Sequence, residues 1–323
     1  IFIIGGTPAA TDTSFVKVAD AFQPARWEWR PAVRSGITTA HLVTRGFGQS
    51  CFGKPRVDPR SATLDSTTPR TFIAVSNEPK SLKVLRAGLK KKSESGSSDS
   101  QEKETPSGST AGKPPESTSQ PRTASGSSTS ASTEISAIWD DVRSGKLPLV
   151  VNANNAAAVL YVVQEMKKKE NKDVKVAFVV SGADALLTLD QLPAERTTLI
   201  LAPRLETEPS TRRLVNVAKE AVELEIPVAF SLSSNQTNFR NSQDCPLFAV
   251  SQLVHLGLDR DTAIRALTQT PAKMLGIDKS FGTIEKGRNA DLLIFGGDPL
   301  SATGRIERVV SQGETIYDAS LQP

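Results

Sequence analysis

Apolar residues recur along this chain in two alternating rhythms. Between residues 147 and 232, short unbroken apolar runs alternate with stretches whose apolar residues return every three to four positions. Residues 147–152, 174–180, 198–202 and 227–232 read as buried strands. Residues 155–168 read as an amphipathic helix with Ala158, Val162, Val163 and Met166 inward, and residues 183–192 and 210–224 read as two more helices. Short apolar strands spaced by helical stretches indicate parallel pairing in an α/β sheet or barrel. Four such strands make half of an eight-stranded barrel.

Upstream, residues 36–43 and 71–75 predict further strands. Downstream the rhythm changes. Residues 247–256, 262–267 and 271–275 predict helices, and residues 282–284, 291–295, 306–311 and 314–317 predict short strands. Turn pairs Lys286-Gly287, Gly296-Gly297 and Gln312-Gly313 separate the strands, which together form a small β unit appended to the α/β part.

One stretch has neither rhythm. Of residues 93–133, 14 are Ser and 6 are Thr, with Pro, Gly, Lys and Glu filling most of the rest. Almost no apolar surface is present there to offset the entropy of ordering the chain, so a disordered insertion is expected. The resulting division is 1–88 as the N-terminal part of a barrel, 89–134 as a Ser/Thr-rich linker, 135–281 as the C-terminal half of the barrel, and 282–319 as β-sandwich strands.

Composition narrows the function classes. The chain has 323 residues, of which 38% are hydrophobic and 23% charged, enough to bury a substantial core. It has no apolar run of about 18 residues, so no membrane span is expected. The net charge of +4 is scattered, and Lys90–Lys92 and Lys167–Lys169 have no aromatic neighbours to stack bases, so no nucleic-acid partner is expected. Cys51 and Cys245 are too few for a thiolate zinc site, and the two histidines, His41 and His255, exclude any set of three imidazole ligands within the chain. His41, on the 36–43 strand, is kept as a pocket residue, whereas His255 reads as a helix-end surface residue. Trp27 and Trp29 read as packing residues. Ile1-Phe2-Ile3-Ile4-Gly5-Gly6 carries no Met and no basic leader, so the chain is expected to continue upstream.

Several spaced motifs now follow in order: Asp261-Thr262-Ala263-Ile264-Arg265-Ala266-Leu267-Thr268, then Thr270-Pro271-Ala272-Lys273-Met274-Leu275-Gly276, then Gly282-Thr283-Ile284-Glu285-Lys286-Gly287. Ala290-Asp291-Leu292-Leu293-Ile294-Phe295 and Gly297-Asp298-Pro299-Leu300 complete the set. Together they resemble the C-terminal signature of the amidohydrolase superfamily, and more narrowly the imidazolonepropionase-like metal-dependent hydrolases. The resemblance covers residues 134–318 well and residues 30–80 more weakly, through Ala32-Val33-Arg34-Ser35-Gly36-Ile37-Thr38-Thr39. It implies a TIM-like (β/α)8 metallo-dependent-hydrolase barrel, here N-terminally truncated and interrupted by the insertion, plus a small composite β-sandwich. The strand around Asp291 would then pair with strands from the N-terminal end of the chain.

The resemblance also implies a chemistry. Family members hold zinc or another divalent metal at the C-terminal mouth of the barrel and use the bound water to cleave C–N bonds. Their ligands are a His-x-His on the first strand, histidines on the fifth and sixth, and an Asp on the eighth that doubles as general base. Carried onto this sequence, the first pair falls upstream of Ile1. The fifth-strand position reads Asn152-Ala153-Asn154, the sixth reads Val180-Ser181-Gly182, and Ser233 stands where the Asp belongs. Neutral Asn and Ser are weak ligands for zinc and supply no base. No metal or cofactor is therefore expected, and the pocket candidates are Asn152, Asn154, Ser181 and Ser233, with His41.

Two functions stay open at this point. One is a non-catalytic descendant that binds a small polar molecule or acts as a scaffold, in a homo-oligomer or beside an active paralogue. The other is a metal-dependent hydrolase of amide or cyclic amide bonds whose site is completed by the upstream segment. A serine nucleophile at Ser181 or Ser233 would need His41 as its base. Either the cytoplasm or a bacterial cell envelope suits the composition.

Overall fold

The computed structural model describes residues 16–22, 29–42, 48–56, 63–65, 79–90, 128–231, 247–301 and 303–321. In the N-terminal part lie β1 (Val16–Lys17), α1 (Trp29–Arg34), β2 (Ala40–Leu42), β3 (Gly48–Gln49), β4 (Cys51–Lys54) and β5 (Thr63–Asp65). Helices α2 (Pro79–Leu89) and α3 (Ser128–Arg143) follow. The central part contains β6 (Leu149–Asn152), α4 (Ala156–Met166), β7 (Val176–Val179), α5 (Gly182–Leu186), β8 (Thr197–Leu201), β9 (Glu206–Thr207), β10 (Leu214–Val215), α6 (Val217–Glu223) and β11 (Val228–Phe230). Helices α7 (Phe248–His255), α8 (Arg260–Leu267) and α9 (Gln269–Met274) precede the last strands, β12 (Leu292–Gly296), β13 (Arg305–Ser311) and β14 (Glu314–Asp318).

The apolar runs do form a parallel sheet, in the order β6-β7-β8-β11, each strand beside its neighbour in sequence. Both faces are covered, which is why these strands lack polar alternation. Leu149, Val151, Val176, Phe178, Leu199, Leu201, Val228 and Phe230 point into a core shared with α4 and α6. The opposite residues, Val150, Ala177, Ile200 and Ala229, meet Phe52, Met274 and Leu275 in a second core. This is the inside and outside of a TIM-like α/β wall. The wall has four parallel strands among the described residues, β1 pairs parallel with β3 in a separate two-stranded sheet, and the predicted strand at 71–75 lies outside the described residues.

Local chemistry sets the helix starts. Asn155 accepts a hydrogen bond from the Ala158 N–H at 2.9 Å and opens α4 one residue after its predicted start. The helix expected over 210–224 begins only at Val217. Ser210 adopts φ 63°, and the chain first makes a hairpin in which β9 pairs antiparallel with β10. Asn216 then caps α6, and its amide donates to the Leu253 carbonyl at 2.8 Å, tying α6 to α7. Helix α3 starts at Ser128, inside the Ser/Thr-rich stretch. Its second half buries Ile138, Trp139 and Val142 against Leu85 and Leu89 of α2.

The C-terminal unit is a three-stranded antiparallel sheet, β12-β13-β14. One expectation is corrected here. Residues 282–284 are not a strand, because Gly282 turns the chain at φ +98° and Ile284 is left 87% exposed. Strand β12 pairs with β13 on one side and is an edge strand among the described residues, and the N-terminal strands expected beside it lie outside them. Among the described residues its link to the N-terminal part is made by side chains. The ammonium of Lys54 on β4 lies 3.1 Å from an Asp291 carboxylate oxygen, donates to the Thr39 hydroxyl at 2.7 Å, and sits 4.2 Å from the Phe281 ring centre. The antiparallel sheet β2-β4-β5 is thereby clamped onto the C-terminal unit.

Candidate functional site

Strand register builds the mouth of the wall. The inner-face row Asn152–Val179–Ile200–Ala229 follows directly from the pairing of β6, β7, β8 and β11. Side chains alternate with a period of two, so Asn154, Ser181, Ala202 and Ser231 continue that row at the C-terminal end of the strands. Asn152 and Asn154 are exposed, and Ser181 and Ser231 are half-buried. Ser233 lies outside the described residues. The Asn152 side chain has no hydrogen-bond partner among the described residues.

Ser181 is committed to local structure. Its hydroxyl accepts from the Asp184 N–H at 3.2 Å, capping α5, and donates to the Asp184 carboxylate at 2.5 Å. The other Asp184 oxygen accepts from the Ala156 N–H at 3.0 Å, at the start of α4. Asp184 therefore ties two strand-to-helix turns together, and both its oxygens are engaged.

Two mouth residues escaped the sequence reading. Arg204 and Glu206 follow β8, and the Arg204 Nε donates to Glu206 at 2.8 Å. Glu206 is 14% exposed and packs against Gly182, where a Cβ would lie 2.4 Å from its Cγ. Only a glycine after Ser181 leaves room for this carboxylate. Their position directly after a strand's C-terminal end was the available signal, since that is where α/β folds place ligands.

His41 does not join this group. It is buried on β2, shares a 2.8 Å hydrogen bond between its Nε2 and the Ser50 hydroxyl, and stacks near Phe52. Burial lowers its pKa from 6.5 to about 3, so it is neutral at pH 7. It lines a separate cavity of about 350 Å³ between β2, α8–α9 and the C-terminal unit, walled by Ile37, Leu267, Phe281, Leu293 and Phe295. Asn152, Asn154, Ser181 and Ser231 are not among its walls. Cys51 is a buried thiol whose pKa burial raises to about 11, which leaves it protonated and unreactive. Trp29 is buried in the N-terminal core, while Trp27 and Cys245 lie outside the described residues.

The donor set decides what the mouth can hold. Among the described residues no three His, Cys, Asp or Glu side chains converge. The amides of Asn152 and Asn154 and an already bonded Ser181 are not a ligand set for zinc or another divalent metal. The described mouth instead presents neutral hydrogen-bonding groups beside the Asp184 carboxylate and one ion pair. Among the described residues no helix is long and apolar enough to cross a membrane.

An α/β wall followed by helices and a small β unit is a fold shared with a solved amidohydrolase. Residues 253–317 match the sequence model of the amidohydrolase family. An amidohydrolase from Thermotoga maritima MSB8 is 16% identical and aligns with a TM-score of 0.63, over 94% of this chain and 78% of that one. A prolidase complexed with N-methylphosphonate-L-proline is 16% identical with a TM-score of 0.39, over 57% of this chain and 49% of that one. A Xaa-Pro dipeptidase with bound methionine in its active site is 16% identical, also at 0.39, over 57% and 48%. Each of these two alignments spans about half of the solved protein. No curated protein matches the sequence.

Proposed function

We propose that this chain is a non-catalytic amidohydrolase relative whose barrel mouth serves as a binding or scaffolding surface for a small polar molecule. The observation that supports this is the state of the family's ligand positions. Asn152 and Asn154 are neutral amides, and the hydroxyl of Ser181 is spent on capping α5 with Asp184. A hydrolytic water needs a metal or a free base beside it. Asp184, the carboxylate next to these positions, has both oxygens occupied by Ala156 and Ser181. An eight-stranded closure of the wall belongs to the same reading and is supported by the likeness to the Thermotoga maritima amidohydrolase. The test is hydrolysis of N-acyl amino acids and cyclic amides by the full chain, with zinc or manganese added and with a chelator. No turnover above the uncatalysed rate is expected. Metal-dependent, chelator-sensitive cleavage would overturn the reading.

A further inference from the structure

We infer that the cavity between β2, α8–α9 and the C-terminal unit is a second binding site, built for a neutral, mostly apolar molecule with two aromatic rings. The inference is independent of how the mouth is read. The cavity holds about 350 Å³, within the range of small-molecule pockets. An apolar cavity of about 150 Å³ takes one benzene, or about 25 Å³ per non-hydrogen atom, so roughly fourteen such atoms fit here. Two fused rings with one small substituent match that size. Phe52, Phe281 and Phe295 contribute three rings to the wall, and Ile37, Leu267 and Leu293 three branched aliphatic side chains. Ring faces and edges of this kind favour an aromatic guest. Ile264 and Ile284 also line the cavity yet stay 37% and 87% exposed, so the way in passes apolar side chains.

The wall has no charge to spare for an ion. Among the described residues that line it, Asp291 is the charged one, and none is a lysine or arginine. One Asp291 oxygen accepts from Lys54 at 3.1 Å and from the Thr39 hydroxyl at 3.3 Å, and the other accepts from the Gln312 N–H at 2.8 Å. His41 is neutral at pH 7 and shares its Nε2 with the Ser50 hydroxyl. An anionic guest would therefore lose its hydration beside a carboxylate and gain no cation. Thr38 and Asn289 offer neutral hydrogen-bonding groups to the guest's substituent.

The probes are 2-acetylnaphthalene, its anionic isostere 2-naphthoate, and the single-ring acetophenone, each titrated calorimetrically into the full chain at pH 7. 2-Acetylnaphthalene should bind as a single molecule per chain and at least about tenfold more tightly than 2-naphthoate. Acetophenone, with less apolar surface to bury, should bind at least about tenfold more weakly than 2-acetylnaphthalene. Leu267→Trp and Leu293→Trp, which fill the cavity from α8 and from β12, should each weaken 2-acetylnaphthalene at least about tenfold, with thermal melts confirming that the variants fold. If neither variant folds, the preferences of the unaltered chain for ketone over acid and for two rings over one decide the matter. Equal binding of ketone and acid, an unchanged affinity in both folded variants, or no saturable binding would each overturn the inference. The last is the result expected if the chain's own residues close the cavity.

Discussion

Lys54→Met is the most informative single cut in this fold. The Lys54 and Asp291 side chains are 3% and 9% exposed, with their charged atoms 3.1 Å apart. At an effective dielectric of about 20, such a pair attracts by roughly 5 kcal/mol, most of which is offset by the desolvation of both ions. Removing one partner leaves the cost without the gain, so Lys54→Met should destabilise by about 3 kcal/mol or more. Methionine keeps the aliphatic stem beside Phe281, so little volume is lost. Asp291→Asn should also destabilise, because it strands the lysine while still offering an acceptor to the Gln312 N–H. The double variant should recover about 2 kcal/mol relative to the sum of the singles, read by urea unfolding of the full chain at neutral pH. Additivity within about 0.5 kcal/mol would refute the claim that this pair clamps the two sheets together.

Three further outcomes follow from the burial pattern. His41 titrates at about 3 when folded and near 6.5 when unfolded, so the unfolded chain binds the extra proton between those values. Stability from this group is full above pH 6.5 and is lost as pH falls, by up to about 1.4 kcal/mol per pH unit; His41→Gln should flatten the urea midpoint between pH 6.5 and 4.5, and an unchanged slope would contradict it. Phe178→Ala, at a fully buried position on the outer face of β7, should cost about 3–5 kcal/mol by the same assay, and a loss below about 1 kcal/mol would show that the wall is not packed as described. The Cys51 thiol, held near 11, should react with a disulfide reagent at neutral pH only on unfolding, whereas rapid labelling of the native chain at Cys51 would place it at the surface.

Much of the wall was legible because each strand is a run of residues buried on both faces. The 176–179 and 197–201 strands lie within two residues of where the apolar runs put them. The helix over 210–224 misled because Ser210 takes a left-handed conformation and the chain turns into the β9–β10 hairpin before Asn216 can cap α6. Gly282 misled similarly, its positive φ turning an apparent strand into a bend. Contacts between distant residues left no local trace. Lys54 and Asp291 are 237 positions apart, and nothing in either neighbourhood names the other. At the mouth, the residue types at 152, 154 and 181 could be read directly. That Ser181 is engaged by Asp184, and that Gly182 makes room for Glu206, required the fold.

Elemental analysis of the full protein, purified without chelators, addresses the central claim most directly. Well under one zinc, iron or manganese per chain is predicted, with no gain in thermal stability when zinc is added. A near-stoichiometric ion that raises the melting temperature would contradict the account, because a tightly bound metal stabilises the folded chain alone.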